Sequence, residues 1–75
     1  MYIHECLIGD CIRLVDFGDT EIVYRRRLLS LGLTRGTILT LVRKAPLGCP
    51  IQVDVRGTAL TLRKEEAALL LWERV

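Results

Sequence analysis

The run "IQVDVRGTALTL", residues 51–62, constrains this chain most. Ile51, Val53 and Val55 alternate with Gln52, Asp54 and Arg56; beyond Gly57-Thr58, Leu60 and Leu62 alternate with Ala59, Thr61 and Arg63. A period of two sends successive side chains to opposite faces of a strand, so each half carries one apolar and one wet face. Glycine accepts the positive φ of a tight reversal, and the two halves read as an antiparallel hairpin. More strands are needed to close a core around its dry face.

Two further runs supply them. Gly9-Asp10 leads into Cys11–Val15 and Gly36-Thr37 into Ile38–Val42, each a turn followed by a β-type stretch. Between them Tyr24, Leu28 and Leu31 fall at helical spacing. The expected helix spans Thr20–Leu31, with Asp19 or Thr20 as its cap and Gly32 ending it in a left-handed conformation. Arg25, Arg26 and Arg27 cannot form one stripe on such a helix, so at least one flanks the core. Lys64–Leu70 has the propensity for a short helix and Leu71–Val75 for a last strand, although "ALLLW" is too apolar for periodicity to set the boundary. Five short strands in one 75-residue domain, residues 1–75, most economically curl into a barrel with few free edges. Trp72 is expected to plug its core.

"RKAPLGCPIQV", residues 43–53, joins the second strand to the hairpin. Pro46 and Pro50 fix φ and remove backbone donors while Gly48 permits a sharp reversal, which stops one strand and starts the next. A stiff loop also loses little entropy when a partner docks. Leu47 at its tip would be an apolar anchor beside the charges of Arg43 and Lys44. The alternation that buries Leu39 and Leu41 turns Ile38 outward. Ile38, Arg43, Lys44, Pro46 and Leu47 are therefore the expected partner-binding residues.

Other function classes find less support. The longest apolar run, Ala67–Trp72, is far short of the ~18 residues of a membrane helix. Met1–Asp10 carries Glu5 and Asp10 and lacks the basic start of a signal peptide, which sets a cytoplasmic expectation. Eleven Lys and Arg against nine Asp and Glu give a net charge of +2, too balanced to force nucleic-acid binding. Small-barrel nucleic-acid binding is the alternative function, but Tyr2, Phe17, Tyr24 and Trp72 are the only aromatic residues that could stack on bases or line a proline-reading groove. The three cysteines, Cys6, Cys11 and Cys49, lack CxxC spacing and with His4 make a poor metal set, so no metal or cofactor is expected. The single histidine near a terminus, without a Ser-His-acid or paired-carboxylate arrangement, points away from an enzyme.

Three motifs carry a resemblance: Arg-x-Leu-Leu-x-Leu-Gly-Leu-x-x-Gly at Arg26–Gly36, Ala-Pro-Leu-Gly-x-Pro at Ala45–Pro50 and Leu-Arg-x-x-Glu-Ala at Leu62–Ala67. In this order and spacing, across Arg25–Leu70, the chain resembles the FeoA family of small ferrous-iron-transport accessory proteins. The resemblance implies a mainly β, SH3-like barrel with an inserted α-helix and a short C-terminal helix. It implies a cytoplasmic partner of FeoB, the membrane ferrous-iron transporter with a GTP-hydrolysing domain, acting at the inner face of the membrane on that transporter's activity or assembly. Self-association is left open. No G-x-x-x-x-G-K-[ST] occurs, so nucleotide chemistry would belong to the partner. Cys49 and Trp72 depart from the residues usual in the family.

Overall fold

Alternation becomes strand wherever it was read, in a computed structural model that describes residues 1–45 and 50–75. After a 3₁₀ turn at Ile3–Glu5 come β1 (Cys11–Asp16), α1 (Ile22–Ser30), β2 (Ile38–Lys44), β3 (Ile51–Val55), β4 (Thr58–Leu62), α2 (Lys64–Ala67) and β5 (Leu71–Arg74). The strands form one sheet in the order β4-β3-β2-β1-β5, and every neighbouring pair is antiparallel. Inward residues from both edge strands, Leu62 of β4 and Trp72 of β5, share one core with Ile12, Leu14, Leu39, Leu41 and Val53. Trp72 is the core plug its size suggested.

β5 would present a bare edge, but Met1 lies along it: the Trp72 amide donates to the Met1 carbonyl and the Met1 amino group to the Trp72 carbonyl, both at 2.8 Å. At the other end of the sheet, Arg56 and Gly57 turn β3 into β4 with φ of 54° and 82°. Positive φ at both central residues is the form that matches the twist of paired strands.

α1 starts two residues later than expected. The Thr20 hydroxyl donates to the Phe17 carbonyl and closes the preceding turn instead of capping the helix. Glu21 takes the cap position, its carbonyl accepting the Arg25 amide at 2.9 Å, with no side-chain cap. The C-terminus follows expectation. Gly32 has φ 91°, its amide donates to Leu29, and the Leu33 amide donates back to Leu28, with both leucines of that last bond fully buried. α2 is shorter than Lys64–Leu70. It ends at Ala67, and the chain turns so that Leu70 enters the core. That turn brings the Leu69 carbonyl against Gly18, where a Cβ would stand 2.5 Å from it.

Pairing between β2 and β3 shifts register between Leu41 and Arg43. Simple alternation would send Arg43 inward after Leu41; the bulge at Val42 instead leaves Val42 and Arg43 both exposed. The connection that follows is closed at its described ends by the Ala45 amide donating to the Pro50 carbonyl at 3.1 Å. Pro46, Leu47, Gly48 and Cys49 lie outside the described residues. No helix among the described residues is long and apolar enough to cross a membrane.

Candidate docking surface

The expected partner-binding residues occupy different surroundings. Ile38 is 44% exposed on the outer face of β2, in a cross-strand row with Arg13 and Glu73, which pair at 2.6 Å. Arg43 is exposed at the far end of the same strand and faces Gln52 of β3. Lys44 is half-buried, and its ammonium donates to the Cys6 carbonyl at 2.6 Å, tying the N-terminal segment to β2. Pro46 and Leu47 lie outside the described residues.

The three helix arginines also separate. Arg25 flanks the core: its guanidinium lies 5.6 Å from the Phe17 ring centroid and donates to the Gly18 carbonyl at 3.4 Å. Arg27 approaches Glu66 of α2 at 3.4 Å, and Arg26 points to solvent. At about 100° per residue, Leu29, Ile22, Arg26, Ser30 and Val23 share roughly a third of the helix circumference. On that arc Ile22, Val23 and Leu29 are 59%, 68% and 43% exposed, whereas Leu28 is the helix residue that is fully buried. A helix that only covered its own barrel would turn its apolar side chains inward; α1 instead presents three aliphatic residues around the exposed Arg26. In the sequence this face is masked by the run Arg25-Arg26-Arg27, which interrupts its aliphatic residues. The signal was available, since Ile22, Val23 and Leu29 fall opposite the Tyr24–Leu28–Leu31 stripe.

Beside that face a cleft of about 510 Å³ runs between α1, β4 and α2, lined by Tyr24, Arg27, Pro50, Thr61, Arg63, Glu65 and Glu66. It shares Pro50 and Thr61 with a smaller cleft of about 230 Å³ that reaches Arg43, Ala45 and Gln52. Arg43 and α1 thus border two neighbouring clefts that share Pro50 and Thr61 in their walls. Glu66 stands 1% exposed in the wall of the larger, one carboxylate oxygen near Arg27 and the other without a hydrogen-bond partner among the described residues.

Among the described residues no cluster of three or more His, Cys, Asp and Glu side chains could hold a metal ion. Cys6 is buried and Cys11 exposed, on different parts of the molecule, and His4 stacks on Tyr2 with ring centroids 5.8 Å apart. Of the aromatics that nucleic-acid stacking would need, Phe17 and Trp72 are buried and Tyr24 is half-buried.

A small antiparallel barrel with a helix inserted after its first strand is an SH3-like domain, and this one carries shallow furrows and exposed apolar patches. A family model described as the FeoA domain matches residues 1–74, and the chain belongs to the FeoA family, whose members are small accessory domains of iron transport. Similar solved structures agree. The FeoA protein of Chlorobium tepidum is 39% identical with a TM-score of 0.89, over all of this chain and 70% of that one. An iron uptake regulatory protein (FeoA) is 25% identical with a TM-score of 0.85, over all of this chain and 97% of that one. The zinc-complexed FeoA of Stenotrophomonas maltophilia, described as a procaryotic SH3 domain protein and a candidate ferrous iron transport activating factor, is 28% identical with a TM-score of 0.78, over 97% of this chain and 89% of that one.

Proposed function

We propose that this chain is a non-enzymatic accessory protein of ferrous iron uptake that works in the cytoplasm. It docks on the inner side of a FeoB-type transporter and modulates that transporter's GTP-dependent activity or assembly. Family membership supports the pathway, and the exposed aliphatic face of α1 around Arg26 is the observation that carries docking. Apolar side chains at the centre of an interface supply binding energy and a neighbouring cation supplies orientation and encounter rate. Arg43 extends this surface along the clefts, and Leu47, with Pro46, is proposed to add an anchor beside it.

The test is binding of the purified chain to the transporter in nanodiscs, with and without a guanine nucleotide, for wild type, Val23→Asp and Leu47→Asp. Val23→Asp places a charge on the exposed helix face and should weaken binding about tenfold or more, about 1.4 kcal/mol or above, with the fold intact by circular dichroism. Loss of binding in Leu47→Asp as well would extend the contact to the β2–β3 connection. Wild type that does not bind under either nucleotide condition would refute the reading.

A further inference from the structure

We propose that the turn Leu7–Asp10, with the basic cleft next to it, is a contact site for an anionic phospholipid bilayer. The aliphatic corner of the turn enters the acyl region, and the cleft takes a headgroup phosphate. Lipid contact of this kind needs no transporter and stands apart from the docking reading.

The turn is held from three sides. The Asp10 amide donates to the Leu7 carbonyl at 3.0 Å, the Leu7 amide donates to Asp10 Oδ2 at 2.8 Å, and Arg74 reaches the same oxygen at 3.3 Å. Gly9, at φ 95°, supplies the reversal. Turn corners ordinarily carry Pro, Asn, Asp or Ser, whose chemistry serves the turn. Here Leu7 and Ile8 stand 66% and 64% exposed and serve neither the turn nor the core. Two bonds fix their place: the Gly9 amide donates to the Leu41 carbonyl at 2.7 Å, and the Lys44 ammonium to the Cys6 carbonyl at 2.6 Å. The aliphatic pair between them therefore runs beside the end of β2, where Val42 is 45% exposed and Arg43 is open to solvent. A stiff aliphatic corner loses little entropy when it is buried.

Charge is the second observation. A cleft of about 160 Å³ is lined by Ile3, His4, Lys44, Ile51 and Lys64, with no carboxylate among the five. Lys44 spends one of its three donors on Cys6 and keeps two, while His4 and Lys64 are exposed. The carboxylates nearest in the chain are engaged: Asp10 within the turn, and Glu5 with the Tyr2 amide at 3.2 Å. Basic and aliphatic walls together suit an anion that brings apolar substance with it. A phospholipid does so, and inorganic phosphate does not. An apolar anchor beside a basic cluster is also the pair of signals that stable membrane contact requires.

The experiment is co-sedimentation of the full chain with vesicles of mixed phosphatidylglycerol and phosphatidylcholine, against vesicles of phosphatidylcholine alone. Wild type should bind the mixed vesicles at least about tenfold more tightly, and added salt should weaken that binding. Ile8→Asp should lower it about tenfold or more and Lys64→Gln about fivefold. Both positions are exposed, so circular dichroism should show the wild-type fold. Val23→Asp on α1 should bind vesicles as wild type does. Failure to bind the mixed vesicles, equal binding to phosphatidylcholine, or undiminished binding by either Ile8→Asp or Lys64→Gln would overturn the proposal. So would saturable ¹H–¹⁵N shifts at His4 and Lys64 with inorganic phosphate in a chain that binds no vesicle, which would make the cleft a free-phosphate site. Transporter binding in detergent separates this claim from docking. Vesicle binding without it sustains the lipid site and overturns docking, and the converse overturns the lipid site and leaves docking standing.

Discussion

Cys6 and Cys11 are the same side chain in opposite surroundings. Cys6 is 0% exposed; burial pushes its thiol pKa up, and nearby Asp10 adds to the shift, while Cys11 lies open on the outer sheet face. Iodoacetamide near pH 8 should therefore alkylate Cys11 at least about tenfold faster than Cys6, read by peptide mass spectrometry. The sign for stability follows from the raised pKa. The folded state holds the neutral thiol, so its contribution is complete below the ordinary thiol pKa of about 8.5 and is lost as pH rises beyond it. Cys6→Ala should flatten that alkaline decline in melting temperature. Asp10 behaves oppositely. The Leu7 amide at 2.8 Å and then Arg74 hold its carboxylate below the usual range, so its contribution is present above about pH 4 and fades as pH falls further. Melting scans of Asp10→Asn from pH 2 to 7 should lose that acid limb. Gly18 carries a steric demand instead. With φ at 59° and the Leu69 carbonyl 2.5 Å from where a Cβ would sit, Gly18→Ala should cost about 2–4 kcal/mol in urea unfolding.

Among the elements, the β3–β4 hairpin and α1 teach different lessons. The hairpin was legible in its two strands, because alternation fixes which faces are dry, but its reversal falls at Arg56-Gly57, one residue before the expected Gly57-Thr58, and Thr58 pairs with Val55. The turn nonetheless holds Arg56 at φ 54°, a conformation an unbranched but β-carbon-bearing residue adopts at a cost. Arg56→Asn should raise stability by about 0.5–1 kcal/mol, measured by the same unfolding assay. α1 was legible in place and in its C-terminal stop but not in its start, since the Thr20 hydroxyl can either accept from a helix amide or donate to the Phe17 carbonyl, and the turn before the helix settles which. Its outward aliphatic face lies opposite the buried Leu28, whereas Leu31 of the expected stripe is exposed and Tyr24 half-buried. The bulge at Val42, which carries Arg43 from the inner to the outer face, has no signal in a run as regular as "ILTLVRK". A bulge is decided by the pairing of two strands, and one strand's sequence does not contain it.

At the scale of the whole molecule, the mainly β barrel, the helix after the first strand and the burial of Trp72 all follow from pattern and volume. What the sequence could not display is the larger cleft. It is assembled from Tyr24 and Arg27 on α1, Thr61 on β4 and Glu66 on α2, residues brought together only by the sheet order. The "Leu-Arg-x-x-Glu-Ala" motif showed that Glu66 mattered to the family likeness without showing that it would be buried beside Arg27. Docking through α1 and the cleft beside it is a claim about one side of the molecule, and hydrogen exchange tests it most directly. With a FeoB-type transporter in nanodiscs added, the amides of Ile22–Ser30 and of Thr61–Glu66 should slow, while the Arg13–Ile38–Glu73 row keeps its rate. Slowing confined to that row, with α1 unchanged, would contradict the account.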